Sequence, residues 1–193
     1  MKIIFIILSA VVLSSCAFSP QQIVVAPTID VEAVSYGAGR SIAVAAKNNK
    51  AGQVLGSRGG VYQDTSVITV ANDLAEVLEE LSRQQLIKDG FNVKGFSTLG
   101  MDKVPSLQLT VEDIRYELSE DISPKKLSLT TVISAEAYNG RETYTRRYET
   151  SKNYTLLVTP SMKKNTEAVN SAFSETLARI FTDPQLKAFL SSI

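Results

Sequence analysis

The spacing of apolar positions changes period several times along this chain, and each change marks an element. Leu74, Val77, Leu78 and Leu81 recur at helical spacing, with Leu86 just off the stripe. Asn72 or Asp73 can cap this helix, Asp73 and Glu76 having the spacing of a capping box, and Gly90 follows as a left-handed stop with Phe91 as its apolar partner. A second stripe joins Val169, Ala172, Phe173, Thr176, Leu177, Ile180 and Phe181, with a cap expected near Asn165. Asp183-Pro184 opens a short last helix bearing Leu186, Phe189 and Leu190, since proline suits a first helical turn.

Between the helices the period falls to two. Leu107, Leu109 and Val111 share one face, and the alternation then slips to Ile114, Tyr116 and Leu118, which predicts a bulge near Asp113. Leu127, Leu129, Thr131, Ile133, Ala135 and Ala137 alternate without a break. Asn139-Gly140 predicts a two-residue hairpin turn that sets Tyr138 opposite Arg141 and Ala135 opposite Tyr144. Tyr144 and Tyr148 then lie on the apolar face, while Ser134, Glu136, Thr143, Thr145 and Glu149 meet water. Arg146 is the misfit, a cation on the core face that must snorkel at an edge or be turned out by a bulge. Upstream, Ile23 to Ala26, Ser41 to Ala46 and Val67 to Val70 read as short strands. Residues 47–64 carry the least pattern, with a hairpin around Gln53 to Ser57. The fold class expected is α+β: a two-layer sandwich, a mainly antiparallel sheet with two main helices packed on one face.

The first residues belong to a different problem. Ile3 to Leu13 are almost wholly apolar, shorter than the roughly 20 residues a membrane-spanning helix needs. Ser14-Ser15-Cys16 follows, small residues ahead of the chain's one cysteine. Leu13-Ser14-Ser15-Cys16 resembles the lipobox of bacterial lipoproteins, in which the cut falls before the cysteine and its thiol carries diacylglycerol. The expected organisation is a signal peptide over residues 1–15, an acylated tether over 16–22 and a single periplasmic domain over 23–193. Ala17, not Asp, follows Cys16, which by the same resemblance directs the protein to the outer membrane.

Composition then removes function classes. The 193 residues hold 20 basic and 20 acidic side chains, so no charge excess draws nucleic acid. There is no histidine and no tryptophan. Without histidine the commonest proton-transfer group near neutral pH is missing, and with Cys16 acylated only carboxylates remain for metals. Gly37-Ala38-Gly39 lacks the third glycine of a dinucleotide site, and Gly59-Gly60 lacks the lysine of a phosphate loop. Glu117, Glu120 and Asp121 crowd a hairpin tip that reads as a solvated turn rather than a calcium site. Lys125-Lys126, Arg146-Arg147 and Lys163-Lys164 could meet phosphate groups if sheet ends bring them together. Tyr36, Tyr62, Tyr138 and Tyr154 could stack on a sugar or line a partner patch, or simply lie half-buried in the sheet. No catalytic residue, metal site or cofactor is expected.

Ala26-Pro27-Thr28-Ile29, Asn72-Asp73-Leu74, Asp89-Gly90-Phe91, Ala137-Tyr138-Asn139-Gly140 and Ala168-Val169-Asn170-Ser171 occur in that order. In this they resemble the YajG family of Gram-negative outer-membrane lipoproteins. The resemblance implies a lipoprotein of the periplasmic face with no assigned activity and no active-site residue. The expected function is a non-enzymatic, lipid-anchored envelope protein held to the membrane through Cys16 and binding another envelope component, with an envelope protein as partner. The alternative is a carrier or sensor of a lipid or glycan.

Overall fold

The computed structural model describes residues 19–59, 66–94, 104–119 and 124–193. Cys16, Gly60, Tyr62, Glu120 and Asp121, singled out above, lie outside the described residues. The elements run β1 (Gln21–Ile23), β2 (Ser41–Asn48), β3 (Val54–Ser57), β4 (Val67–Val70), α1 (Leu74–Lys88), β5 (Asn92–Lys94), β6 (Ser106–Leu118), β7 (Lys125–Tyr138), β8 (Thr143–Leu156), α2 (Met162–Thr182) and α3 (Pro184–Leu190). The class is α+β, as expected.

The sheet is mixed rather than mainly antiparallel in its connections. β6–β7, β7–β8 and β3–β4 run antiparallel, but β1–β4, β2–β5, β2–β6 and β3–β6 run parallel. β6 explains this. One of its edges takes β7 along its whole length. The other edge is shared: β2 occupies Ser106 to Val111 and β3 occupies Tyr116 and Glu117. Between the two partners the register of β6 shifts at Glu112, the bulge expected near Asp113. The bulge returns Ile114, Tyr116 and Leu118 to the face of Leu107, Leu109 and Val111. No local pattern in β2 or β3 announces a parallel partner more than fifty residues away, so the alternation of β6–β8 alone suggested an antiparallel sheet.

That face is the core. Leu107, Leu109, Val111, Leu129, Ile133, Ala135 and Ala137 are buried together with Leu78 and Leu86 of α1 and Val169, Phe173, Leu177, Ile180 and Phe181 of α2. Leu86, placed off the helical stripe by its spacing, is in fact fully buried, and Leu81 is only partly so. Asp73 caps α1 as expected, accepting from the N–H groups of Ala75 and Glu76. Gly90 takes positive φ at the other end, and the Phe91 N–H returns to the Leu86 carbonyl.

Two local expectations are corrected. The cap of α2 is Ser161, not Asn165, which lies inside the helix and is fully buried. The β7–β8 connection is a four-residue loop over 139–142, so Tyr138 faces Thr143 and Ala137 faces Tyr144. The Asn139 side-chain oxygen accepts from the N–H groups of Arg141 at 3.0 Å and Glu142 at 2.9 Å, and its own N–H reaches the Glu142 carbonyl. An asparagine folded on its own backbone replaces the tight turn, and Gly140 alone takes positive φ there. The slip is of two residues, so every side chain of β8 keeps its expected face.

Candidate functional site

Arg146, the misfit of the sequence, is where the polar chemistry gathers. It stands on the core face of β8 opposite the small Ala135, with Tyr144 and Tyr148 two residues to either side. Among the described residues β8 pairs only with β7 and forms an edge, and Arg146 snorkels past that edge with half its side chain in solvent. Its guanidinium reaches Asp183 Oδ2 at 2.9 Å and Gln185 Oε1 at 3.2 Å. The same carboxylate oxygen accepts from the Tyr144 hydroxyl at 3.0 Å and the Tyr148 hydroxyl at 2.5 Å. Asp183 Oδ1 accepts from the Gln185 N–H at 2.9 Å, capping α3.

Asp183 is therefore a buried carboxylate with four donors. Burial alone would raise its pKa, but the bonds from Tyr148, the Gln185 N–H, Tyr144 and Arg146 outweigh it and hold the group below the usual carboxylate range. Burial and that same anion push the Tyr148 hydroxyl well above its ordinary value. At neutral pH the aspartate is ionised and the tyrosine protonated, and three of the four donors converge on the one oxygen, Oδ2. The cluster is suited to holding β8 against the α2–α3 junction, not to moving protons.

In front of it opens a surface recess of about 440 Å³ lined by Arg146, Tyr148, Arg179, Thr182, Asp183, Pro184 and Gln185. The Arg146 guanidinium carbon lies 5.5 Å from the centre of the Tyr148 ring. Arg179 donates to the Glu149 carbonyl. Two guanidiniums steadied by their own contacts flank an open cup, a setting for an acidic group of a partner. Asp183 and Arg179 were not foreseen as parts of a site. The one sequence signal was a charged residue at Arg146 on an apolar face.

A second polar cluster lies where the chain enters the domain. Asn165 accepts from the Tyr116 hydroxyl at 2.9 Å and donates to the Gln21 side chain at 2.8 Å. In the opposite orientation of the Gln21 amide its nitrogen faces Asn165 instead, and its oxygen accepts from the Met162 N–H at 3.3 Å and from Arg58 at 3.0 Å. Arg58 also donates to the Ser19 carbonyl. Burial lowers the pKa of Arg58 and raises that of Tyr116.

The other sequence candidates separate. Lys125-Lys126 and Lys163-Lys164 share the end of the sheet that carries Gln21, whereas Arg147 faces the opposite side and pairs with Glu112 and Glu149. Tyr36 packs edge-on against Phe91, and Tyr138 and Tyr154 stand at opposite ends of β7–β8, so these tyrosines form no common platform. Glu117 is exposed at the end of β6. No group of three or more metal-ligating side chains occurs among the described residues. No helix among them is long and apolar enough to cross a membrane.

Comparison with known proteins agrees with the resemblance read from the sequence. A family model of uncharacterized lipoproteins matches residues 27–191. The uncharacterized lipoprotein YajG of Escherichia coli K12 is 25% identical over 194 residues, covering 98% of this chain and 96% of the relative. Among solved structures, a Helicobacter pylori homolog of neuraminyllactose-binding hemagglutinin superposes with a TM-score of 0.50 at 11% identity, over 86% of this chain and 96% of that one. Protein XCC0632 of Xanthomonas campestris gives a TM-score of 0.46 at 12% identity, over 90% and 95%.

Proposed function

The chain belongs to the family of uncharacterized lipoproteins, and from that premise we propose that it is a non-enzymatic binding protein of the bacterial envelope. Its anchor is a diacylglyceryl group on Cys16, exposed as the new N-terminus by cleavage after Ser15. Its domain stands on the periplasmic side of the outer membrane, the sorting that Ala17 favours. It holds another envelope component there through an acidic group of that partner. The observation that carries the binding reading is the Asp183 cluster: a carboxylate held by four donors, set behind two guanidiniums that face an open recess.

The carrier alternative asks for an apolar cavity between sheet and helices. Phe173, Leu177, Phe181 and Tyr148 occupy that space, each at most 5% exposed. The recess beside them is open and polar-edged, which suits docking of a partner's side chain or terminus.

A photo-crosslinking amino acid in place of Gln185, in cells, tests the reading. A discrete adduct that Arg146→Glu and Arg179→Glu abolish is the expected result. No adduct at position 185 in cells that carry the acylated protein overturns the assignment of the recess. Metabolic labelling with palmitate, lost in Cys16→Ser, tests the anchor separately.

A further inference from the structure

We infer that the end of the domain carrying Leu157, Val158 and Met162 is a second membrane contact, seated on the phospholipid headgroups beside the anchor. This inference rests on the acylation of Cys16 proposed above and adds an orientation for the domain.

Leu157 and Val158 are 82% and 73% exposed, the most exposed of the domain's large apolar side chains among the described residues, and Met162 is 50% exposed. All three lie between the last residue of β8, Leu156, and the first turn of α2. Nothing in the fold requires apolar residues there: Ser161 caps the helix and Pro160 already fills the buried position of the loop. A cluster of this kind needs an apolar neighbour.

The place where the chain enters the domain identifies that neighbour. Gln21 lies against the Met162 N–H and Asn165, and Arg58 clasps the Ser19 carbonyl, so the tether is pinned to the same end. Ser19 is three residues on from Cys16, a reach of about 10 Å fully extended. Cys16 with its acyl chains sits at the membrane surface, and a headgroup layer is itself roughly 5–8 Å deep. A domain held on so short a leash at this end cannot carry the end far from the lipid.

Charge agrees with apolarity. Lys163 and Lys164 stand beside Met162, and Lys125 and Lys126 pair in the sheet with Leu156 and Thr155. Glu167 lies 4.0 Å from Lys163 and 3.1 Å from Lys164, one carboxylate against two ammoniums. Glu117, paired in register with Ser57 and Ser128, is a further exposed acid near this end. Among the described residues the four lysines exceed these two acids, while Glu120 and Asp121 of the β6–β7 connection lie outside the described residues. An apolar tip rimmed by lysines, whose long stems let the ammonium ride at headgroup level, is how a protein lies on an interface containing anionic lipid.

The test uses the full acylated protein in vesicles of phosphatidylethanolamine and phosphatidylglycerol. With Cys16 acylated, a cysteine introduced by Leu157→Cys is the one free thiol and takes an environment-sensitive dye selectively. Met162→Cys gives a second site at the same end, and Arg141→Cys marks the opposite end of β8. The dyes at 157 and 162 are expected to be quenched by a nitroxide phospholipid and shielded from aqueous iodide, while the dye at 141 shows the reverse. Replacing Lys125, Lys126, Lys163 and Lys164 by Glu should abolish the quenching at 157 while the anchor keeps the protein on the vesicle. Intact mass reports acylation in the same sample. Acylated protein whose 157 and 162 dyes remain open to iodide overturns the membrane contact alone and assigns the apolar tip to a protein partner. Protein lacking acyl chains overturns the anchor reading and this inference with it.

Discussion

The Tyr148 hydroxyl of β8 donates to Asp183 Oδ2 at 2.5 Å, across 35 residues of chain, and so ties the edge of the sheet to the corner where α2 turns into α3. Hydrogen bonds to a charged group are worth roughly 1.5–3 kcal/mol, more than neutral ones. Tyr148→Phe should therefore cost about 2 kcal/mol, whereas Tyr144→Phe, whose bond is longer and half-exposed, should cost less. Chemical denaturation of both variants checks the order. Equal losses would show that Asp183 does not prefer Tyr148.

Acid should undo the same corner. The folded carboxyl of Asp183 lies below its ordinary value of 3.8, so its contribution to stability is complete above that pH and is lost as pH falls through the depressed folded value. Asp183→Asn should lower stability at neutral pH and flatten the acid limb of the stability profile, leaving the limb above pH 5 parallel to that of the wild type. A denaturation midpoint measured from pH 7 to pH 2 shows whether the two curves converge in acid.

Asn165 serves two buried partners at once, the Tyr116 hydroxyl and the Gln21 amide. Removing it strands both, and each unsatisfied buried group costs about 1–3 kcal/mol. Asn165→Ala is expected to lose about 2–6 kcal/mol by that sum. Asn170→Ala removes bonds to the backbone of Val24 and Ala26 at an exposed site and should lose less than half as much. Limited proteolysis near Gln21 should also quicken in Asn165→Ala, because the tether loses its hold on α2.

Gly56 and Gly140 should respond to alanine to very different degrees. A Cβ on Gly56 would lie 1.8 Å from the Tyr116 carbonyl oxygen, in the parallel pairing of β3 with β6. Backbone is on the other side of that clash, so Gly56→Ala is expected to break the pairing and yield little folded protein. Gly140 has open space around its Cβ position and φ of +96°, so Gly140→Ala pays only for backbone conformation, roughly 1 kcal/mol. Soluble yield and thermal midpoint distinguish the two.

Phe173 is fully buried in the middle of α2, while Glu175 of the same helix is exposed and pairs with Lys152 at 2.8 Å. Truncating a buried phenylalanine typically costs about 3–5 kcal/mol, and an exposed ion pair is worth about 0–1 kcal/mol. Phe173→Ala should approach the stability limit of the domain, and Glu175→Ala should be nearly silent in the same denaturation experiment.

Periodicity and capping are local, and they were legible in the chain itself. The stripe from Val169 to Phe181, the cap at Asp73, the stop at Gly90, the bulge after Val111 and the apolar face of β7 all depend on residues within a few positions of one another. Arg146 was visible as a misfit for the same reason: alternation placed a cation on the core face before any partner was known. Its partner was not visible. Asp183 lies 37 residues on and read only as the residue before the last helix, which it in fact caps. Only the packing of the α2–α3 corner against the β8 edge brings the two together. The parallel pairings of β2 and β3 with β6, and the meeting of Gln21 with Asn165 across 144 residues, were likewise settled in three dimensions. A strand's alternation tells which face is buried but carries no mark of which strand will lie beside it. That choice is made by the backbone bonds and buried volume of the whole sheet at once.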